Sequence, residues 1–179
     1  MRTAARLLER VLEWFLILQM VALTVVVVVA VIARKSGASF SWYDEVAAIQ
    51  LAWITYYGAA LAALKRKHIG FDGVLLALPS RWRGPSIVAA EAVTMAFFAL
   101  LAWSGMEVLA ILEGMSLVSL TWVPVGFTQS VIPIGAALFI LASALSLPEY
   151  WRETMAGHSF EHPEAVVEVP KGRTVETRP

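Results

Sequence analysis

Cysteine is absent from the 179-residue chain, which rules out a disulfide framework, a thiolate metal site and a cysteine nucleophile. Charge is scarce as well: Asp, Glu, Lys and Arg make up 16% of residues against 59% hydrophobic ones, and mean hydropathy is +0.70. Soluble domains carry about 25% charged residues, so this chain belongs in a bilayer. The 14 basic residues balance the 14 acidic ones, leaving no basic surplus to attract nucleic acid. Histidine is rare too. His68 lies near an apolar run, whereas His158 and His162 sit close to the carboxyl end. A haem anchor needs axial ligands inside the bilayer, usually from facing helices, and the sequence offers no such pair. The apolar stretches contain no acid pair with a histidine, no Gly-rich phosphate loop and no His-Glu-x-x-His cluster. No catalytic or metal-binding residue is therefore assigned, and no cofactor is expected on this chain.

What remains is apolar length. A membrane-spanning helix needs about 20 apolar residues to cross a hydrocarbon core of about 30 Å. Four runs meet that need: Trp14 to Ala33, Val46 to Leu64, Ile87 to about Leu109, and Val123 to Leu147. The first follows Arg2, Arg6 and Arg10, but it exceeds the 7–15-residue core of a signal peptide. It also ends in Arg34-Lys35 without a small-residue cleavage site, and is read as a retained helix. Orientation follows from the basic residues in short loops. With the amino terminus cytoplasmic, the inner side holds Arg2, Arg6, Arg10, Lys65, Arg66, Lys67, Arg81, Arg83, Arg152, Lys171, Arg173 and Arg178. The outer side holds Arg34 and Lys35. Both termini are expected in the cytoplasm of a cell bounded by an inner or plasma membrane.

Between the second and third runs, Ile69 to Leu78 is apolar but too short to span, and basic residues flank it. A segment lying along the inner leaflet is expected there. Beyond Trp151 the sequence turns polar, with Pro163, Pro170 and Pro179, and is expected to be a disordered cytoplasmic tail over 152–179. The fold class is thus an all-α integral membrane domain over 1–151, with four transmembrane helices and one short interfacial segment.

Ionisable groups inside a membrane are functional candidates because burying charge in hydrocarbon is costly. Glu13, Glu91 and Glu107 each fall within a turn or two of an expected helix end, where the helix dipole and headgroups reduce that cost. Glu91 reads as a helix-start acid, and Glu13 as part of a charged turn with Arg6, Glu9 and Arg10. Glu107 is the least comfortable of the three. Gln19, Gln50 and Gln129 lie deeper and read as interhelical hydrogen-bonding groups. Small residues spaced four apart, Ala48 and Ala52, Gly58 and Ala62, Ala59 and Ala63, allow close backbone approach, either within this chain or to a partner helix.

Several of these residues fall into a family pattern. Trp42-Tyr43-Asp44-Glu45 opens the second helix, Gly58-Ala59-Ala60-Leu61-Ala62 lies at its centre, and His68-Ile69-Gly70-Phe71-Asp72 follows a basic turn. Val131-Ile132-Pro133-Ile134-Gly135 lies in the fourth run. Together they resemble the W-x-E-E opening, G-A-x-x-A centre, H-I-x-x-D close and proline-isoleucine-glycine segment of the DctQ-like family, the small membrane subunit of tripartite ATP-independent periplasmic (TRAP) transporters. Asp44 stands where the family more often has glutamate. The resemblance covers roughly Arg2 to Trp151.

The resemblance implies a subunit, not a complete transporter. A soluble periplasmic binding protein would capture an organic acid, and a larger membrane subunit would carry it with sodium ions. This chain would brace the large subunit among membrane lipids and assist docking of the binding protein. Trp42, Asp44, Glu45, Gly58, Ala62 and Glu107 become interface or docking candidates. The acids of Ser41 to Glu45 have two compatible readings. Ser41 caps the second helix with Asp44 closing a capping box, or one acid pairs with a basic group on a partner. Likewise Lys65, Arg66, Lys67 and His68 would hold the inner interface through anionic headgroups, with Asp72 a possible ion-pair partner for them. Two rival classes stand beside this reading: a self-sufficient homo-oligomeric transporter working through Glu13, Glu91 or Glu107, and a membrane anchor for a redox enzyme.

Overall fold

The computed structural model describes residues 2–66 and 80–155. The expected interfacial segment, with Lys67, His68 and Asp72, lies outside the described residues, as does the tail beyond 155. Among the described residues five helices follow in chain order: α1 (Arg2–Lys35), α2 (Tyr43–Leu64), α3 (Ser80–Ile111), α4 (Val125–Gln129) and α5 (Val131–Met155). Four segments are long and apolar enough to cross a membrane: Ala5–Lys35, Tyr43–Leu64, Gly84–Ile111 and Val125–Arg152. The architecture is an all-α four-span membrane bundle, and no strand occurs among the described residues.

The helices overrun the apolar runs because backbone hydrogen bonding continues where the hydrocarbon-like sequence stops. At 1.5 Å per residue, α1 extends about 51 Å and α3 about 48 Å, whereas α2 extends about 33 Å. α3 starts at Ser80, ahead of the expected Ile87, and takes in Pro85. α5 runs through Pro148 to Met155, past the domain edge expected at Trp151. The fourth run is two helices instead of one. Pro133 has no N–H to give the carbonyl of Gln129, and its ring crowds that same carbonyl; the helix breaks there, with Ser130 between α4 and α5.

α5 is the centre. It packs against α2 on one side and α3 on the other, while α1 lies mainly on α2. Leu12, Ala60, Ala63, Phe139 and Ala142 form the buried core, and Phe98 of α3 stacks on Phe139 at 3.6 Å between ring centroids. A second aromatic group, Phe15, Trp53, Tyr57 and Phe127, joins α1, α2 and α4.

Of the small-residue pairs of α2, Ala59 and Ala63 lie in the packed core, where Ser146 Oγ of α5 donates to the Ala63 carbonyl at 3.2 Å, whereas Gly58 is not at a crossing. A Cβ on Gly135 would stand 2.7 Å from Tyr56 Cβ, and one on Gly105 would stand 2.9 Å from Pro133 Cδ, but one on Gly58 would meet nothing within 4 Å. Gly58 therefore faces away from this chain's own helix crossings. Gly135→Ala is expected to destabilise the isolated chain in detergent by about 1–3 kcal/mol through overpacking. Gly58→Ala should stay within about 0.5 kcal/mol of the parent. Unfolding curves followed by circular dichroism check both, and equal stabilities would contradict the α2–α5 approach.

Candidate functional site

The polar side chains gather at the two ends of the bundle. At the end where α2 finishes, the three longer helices run on past it. The αL position after a helix usually belongs to glycine, yet here it belongs to Arg66, with φ of 51°. Such a conformation costs of order 1–3 kcal/mol and persists where surrounding contacts over-determine it. Arg66 has those contacts. Its Nε donates to Ser146 Oγ at 2.8 Å and its Nη2 to the Ser143 carbonyl at 3.0 Å. Nη1 pairs with the Glu91 carboxylate, and the guanidinium lies 4.7 Å from the Tyr150 ring centre. The pair is largely buried, with side-chain exposures of 15% for Arg66 and 13% for Glu91. One arginine thereby ties the end of α2 to both α3 and α5.

Lys65 turns the other way, to α1. Its Nζ pairs with Glu13 and lies 3.3 Å from Glu9 Oε1. The hydrogen bond that Lys65 donates to Glu13 raises the Lys65 amine above the ordinary lysine range, opposed by partial desolvation and helped by Glu9. A raised lysine stabilises the fold fully below its unfolded value and loses that contribution as pH climbs through the folded one; at neutral pH it is complete. Both basic residues are thus engaged by acids of the same chain. Glu91, eleven residues into α3, is a bridging acid and not a helix-start acid, and Glu13 reaches α2 instead of only closing a local charged turn.

At the opposite end, α2 begins one residue later than the Ser41 cap required. Trp42 occupies the cap position with φ −91° and ψ −14°, and no side chain caps the helix. The Ser41 assignment as cap is therefore corrected. Its carbonyl instead accepts Ser119 Oγ at 3.1 Å, while Val46 N–H bonds to the Trp42 carbonyl. Asp44 is exposed. Glu45 reaches across to the α3–α4 connection, accepting the N–H groups of Val118 at 3.1 Å and Ser119 at 2.9 Å. That connection is a tight hairpin: Leu117 N–H bonds to the Val123 carbonyl, Val125 N–H to the Met115 carbonyl, and Gly114 turns the chain at φ 83°. Its tip is bare, with Val118 89% exposed and Trp122 79% exposed.

Of the other candidates, Trp42 packs its ring 5.5 Å from that of Phe40. Ala62 is half-buried. Glu107 is exposed on α3 and accepts Trp103 Nε1 at 3.0 Å. The structure brings Lys65 and Arg66 into neighbouring clusters and leaves Asp44, Gly58 and Glu107 apart. Sequence reasoning missed Ser143 and Ser146, although two hydroxyls three apart in an apolar helix share one face and were a usable signal. It also missed Trp53, whose Nε1 donates to the Thr128 carbonyl at 3.1 Å, and the bond from Arg34 to the Tyr43 hydroxyl. Nor do the glutamines all bridge helices: Gln50 Oε1 is buried without a hydrogen-bond partner.

These geometries define a polytopic helical membrane protein whose polar groups brace one helix against another. The sequence profile of the family described as "Tripartite ATP-independent periplasmic transporters, DctQ component" matches residues 23–153. The chain belongs to that family and is a small membrane subunit of TRAP transporters, a transporter component and not a member of an enzyme family. The family works with a large membrane subunit and a periplasmic binding protein. No curated protein matches the chain.

Removing one member of a buried ion pair strands the other. Arg66→Ala should lower stability by about 3–5 kcal/mol, and Arg66→Met with Glu91→Leu should recover most of the loss. Unfolding in detergent measures both. For the hairpin, Glu45→Gln should speed amide exchange at Val118 and Ser119 while leaving α5 unchanged. Equal exchange in variant and parent would show that the hairpin holds itself.

Proposed function

We propose that this chain is the bracing subunit of a sodium-coupled importer of organic acids. The large membrane subunit carries the substrate and the sodium ions. The periplasmic binding protein delivers the substrate, docking in part on this chain. Lys and Arg distribution supports an inner-membrane orientation with both termini cytoplasmic, so that the Arg66 end faces inward and the Glu45 hairpin outward.

The observation that carries this reading is where the charges of the bundle go. Glu13, Glu91 and Glu45 are each engaged by Lys65, Arg66 and the hairpin amides of the same chain. A coupled transporter needs an ionisable group free to exchange its partner during the cycle, and two of the three acids that a self-sufficient transporter would use are instead held in bridges. They support a frame that holds its shape while a neighbouring subunit moves.

Asp44, exposed and unbonded to the hairpin, is the better docking candidate of the acidic pair. Liposomes holding this chain with its large subunit should take up an organic acid in a sodium- and binding-protein-dependent way, and liposomes holding this chain alone should not. Asp44→Lys is expected to weaken uptake by raising the binding-protein concentration needed, with the chain's own stability unchanged. Sodium-driven flux through the chain alone would overturn the subunit reading.

A further inference from the structure

Resting on the subunit reading above, we infer that the large subunit binds the face of α3 that carries Glu107, and that it presents a basic or N–H-donating side chain to that carboxylate.

Val93, Phe97, Leu100, Trp103, Glu107 and Ile111 recur at intervals of three or four residues in α3 and are all exposed, so they form one stripe along the helix. At 3.6 residues per turn, Glu107 lies about 180° around the helix from Phe98 and about 160° from Gly105. Those two residues make the contact with α5, through Phe139 and Pro133. The stripe therefore points directly away from the rest of the bundle. In a membrane it meets either lipid or another protein.

Glu107 decides between them. It lies four residues inside the end of α3, about 6 Å along the axis. Helical side chains lean towards the helix amino terminus, and here that direction leads away from the nearer end of the span. The bond from Trp103, one turn further in, holds the carboxylate in that direction instead of letting it extend towards water. A carboxylate has room for about four donors, and one indole N–H leaves acceptor capacity open on a face that is apolar apart from the exposed Ser104. Hydrocarbon cannot fill that capacity, whereas a donor on a partner helix does.

The contrast with α1 is direct. Its exposed face carries Leu18, Val21, Val25 and Val28, and between Glu13 and Arg34 it contains no charged residue. Its exposed Thr24 hydroxyl is already bonded to the Met20 carbonyl of its own helix at 2.8 Å. This face is suited to lipid, with no polar group awaiting a partner.

Because the chain has no cysteine, each introduced cysteine is the single thiol on this chain, and the cysteine-free parent labelled in parallel gives the background. Phe97→Cys and Leu100→Cys on α3, and Val21→Cys and Val25→Cys on α1, are labelled with a thiol-reactive benzophenone in membranes containing the full transporter and illuminated. Adducts joining this chain to the large subunit from the α3 sites, but not from the α1 sites, are expected. Adducts from α1 alone, or co-purification of the large subunit without any α3 adduct, would overturn the α3 face while leaving the subunit reading intact. No adduct and no co-purification would remove both. In parallel, Glu107→Lys should cut recovery of the large subunit about tenfold or more, since it sets like charges against each other, and Glu107→Gln should cut it less. The isolated Glu107→Lys chain should unfold like the parent, because the stripe lies outside the bundle. Full recovery of the large subunit with both variants would overturn the proposed contact.

Discussion

The placement of one guanidinium governs how this bundle holds together. α2 is the shortest of the spanning helices, and it stops while α1, α3 and α5 continue. Its last turn therefore ends among neighbours instead of in open water, and a helix end in that position leaves backbone carbonyls and a chain reversal to be accommodated. Arg66 supplies the reversal by taking a left-handed conformation and returns its side chain to the helices that surround it. Glu91, Ser143, Ser146 and Tyr150 receive it. The strain at φ 51° and the buried charge are each unfavourable alone; they are stable because the same side chain satisfies both.

The two ends of the bundle are built on different chemistry. Around Arg66 and Lys65, side chains meet side chains and one backbone carbonyl, that of Ser143, and the bridges join helices to helices. Around Glu45, a side chain meets backbone amides, and the bridge joins a helix to a hairpin. A carboxylate accepting two successive N–H groups fixes backbone geometry more closely than a pair of long flexible chains does. The outcome is a firm loop with exposed Val118 and Trp122 at one end and a tied set of helix ends at the other. Both arrangements consume charges that would otherwise be costly in a membrane protein, and both leave the outward faces of α1 and α3 without a neighbour among the described residues.

Four spans were legible because hydrocarbon thickness imposes a length on apolar sequence, and the motifs from Trp42 onward identified the family for the same stretch of chain. Helix boundaries were less legible. An apolar run reports contact with lipid, while a helix reports backbone hydrogen bonding, and α1 keeps its bonds through Arg6, Glu9 and Arg10. Pro133 was visible as part of a family motif, but its effect on the Gln129 carbonyl was not drawn from it. The inward turn of Lys65 and Arg66 was illegible for a different reason: a basic cluster after an apolar run has the same appearance whether it faces headgroups or acids on other helices. Glu91 and Glu13 were noticed individually, and nothing in their local sequence spacing connects them to residues 25 or more positions away. Ser41 failed as a cap for a local reason, since a one-residue shift in helix start moved the cap to Trp42.

The order in which the helices leave the ribosome adds a constraint on biogenesis. α5 is the last of the described helices to be made, yet it is the central one, and α3 packs chiefly against it. Until α5 enters the bilayer, α3 has no side of its own to rest on, Arg66 lacks its two serines, and Gly105 faces no proline ring. A chain interrupted before Val131 would therefore consist of an α1–α2 pair beside an unsupported helix, with much of its polar apparatus unsatisfied. Entry of α5 and closure of the bundle become the same event, which gives the cell's membrane proteases a physical basis for separating closed bundles from open ones.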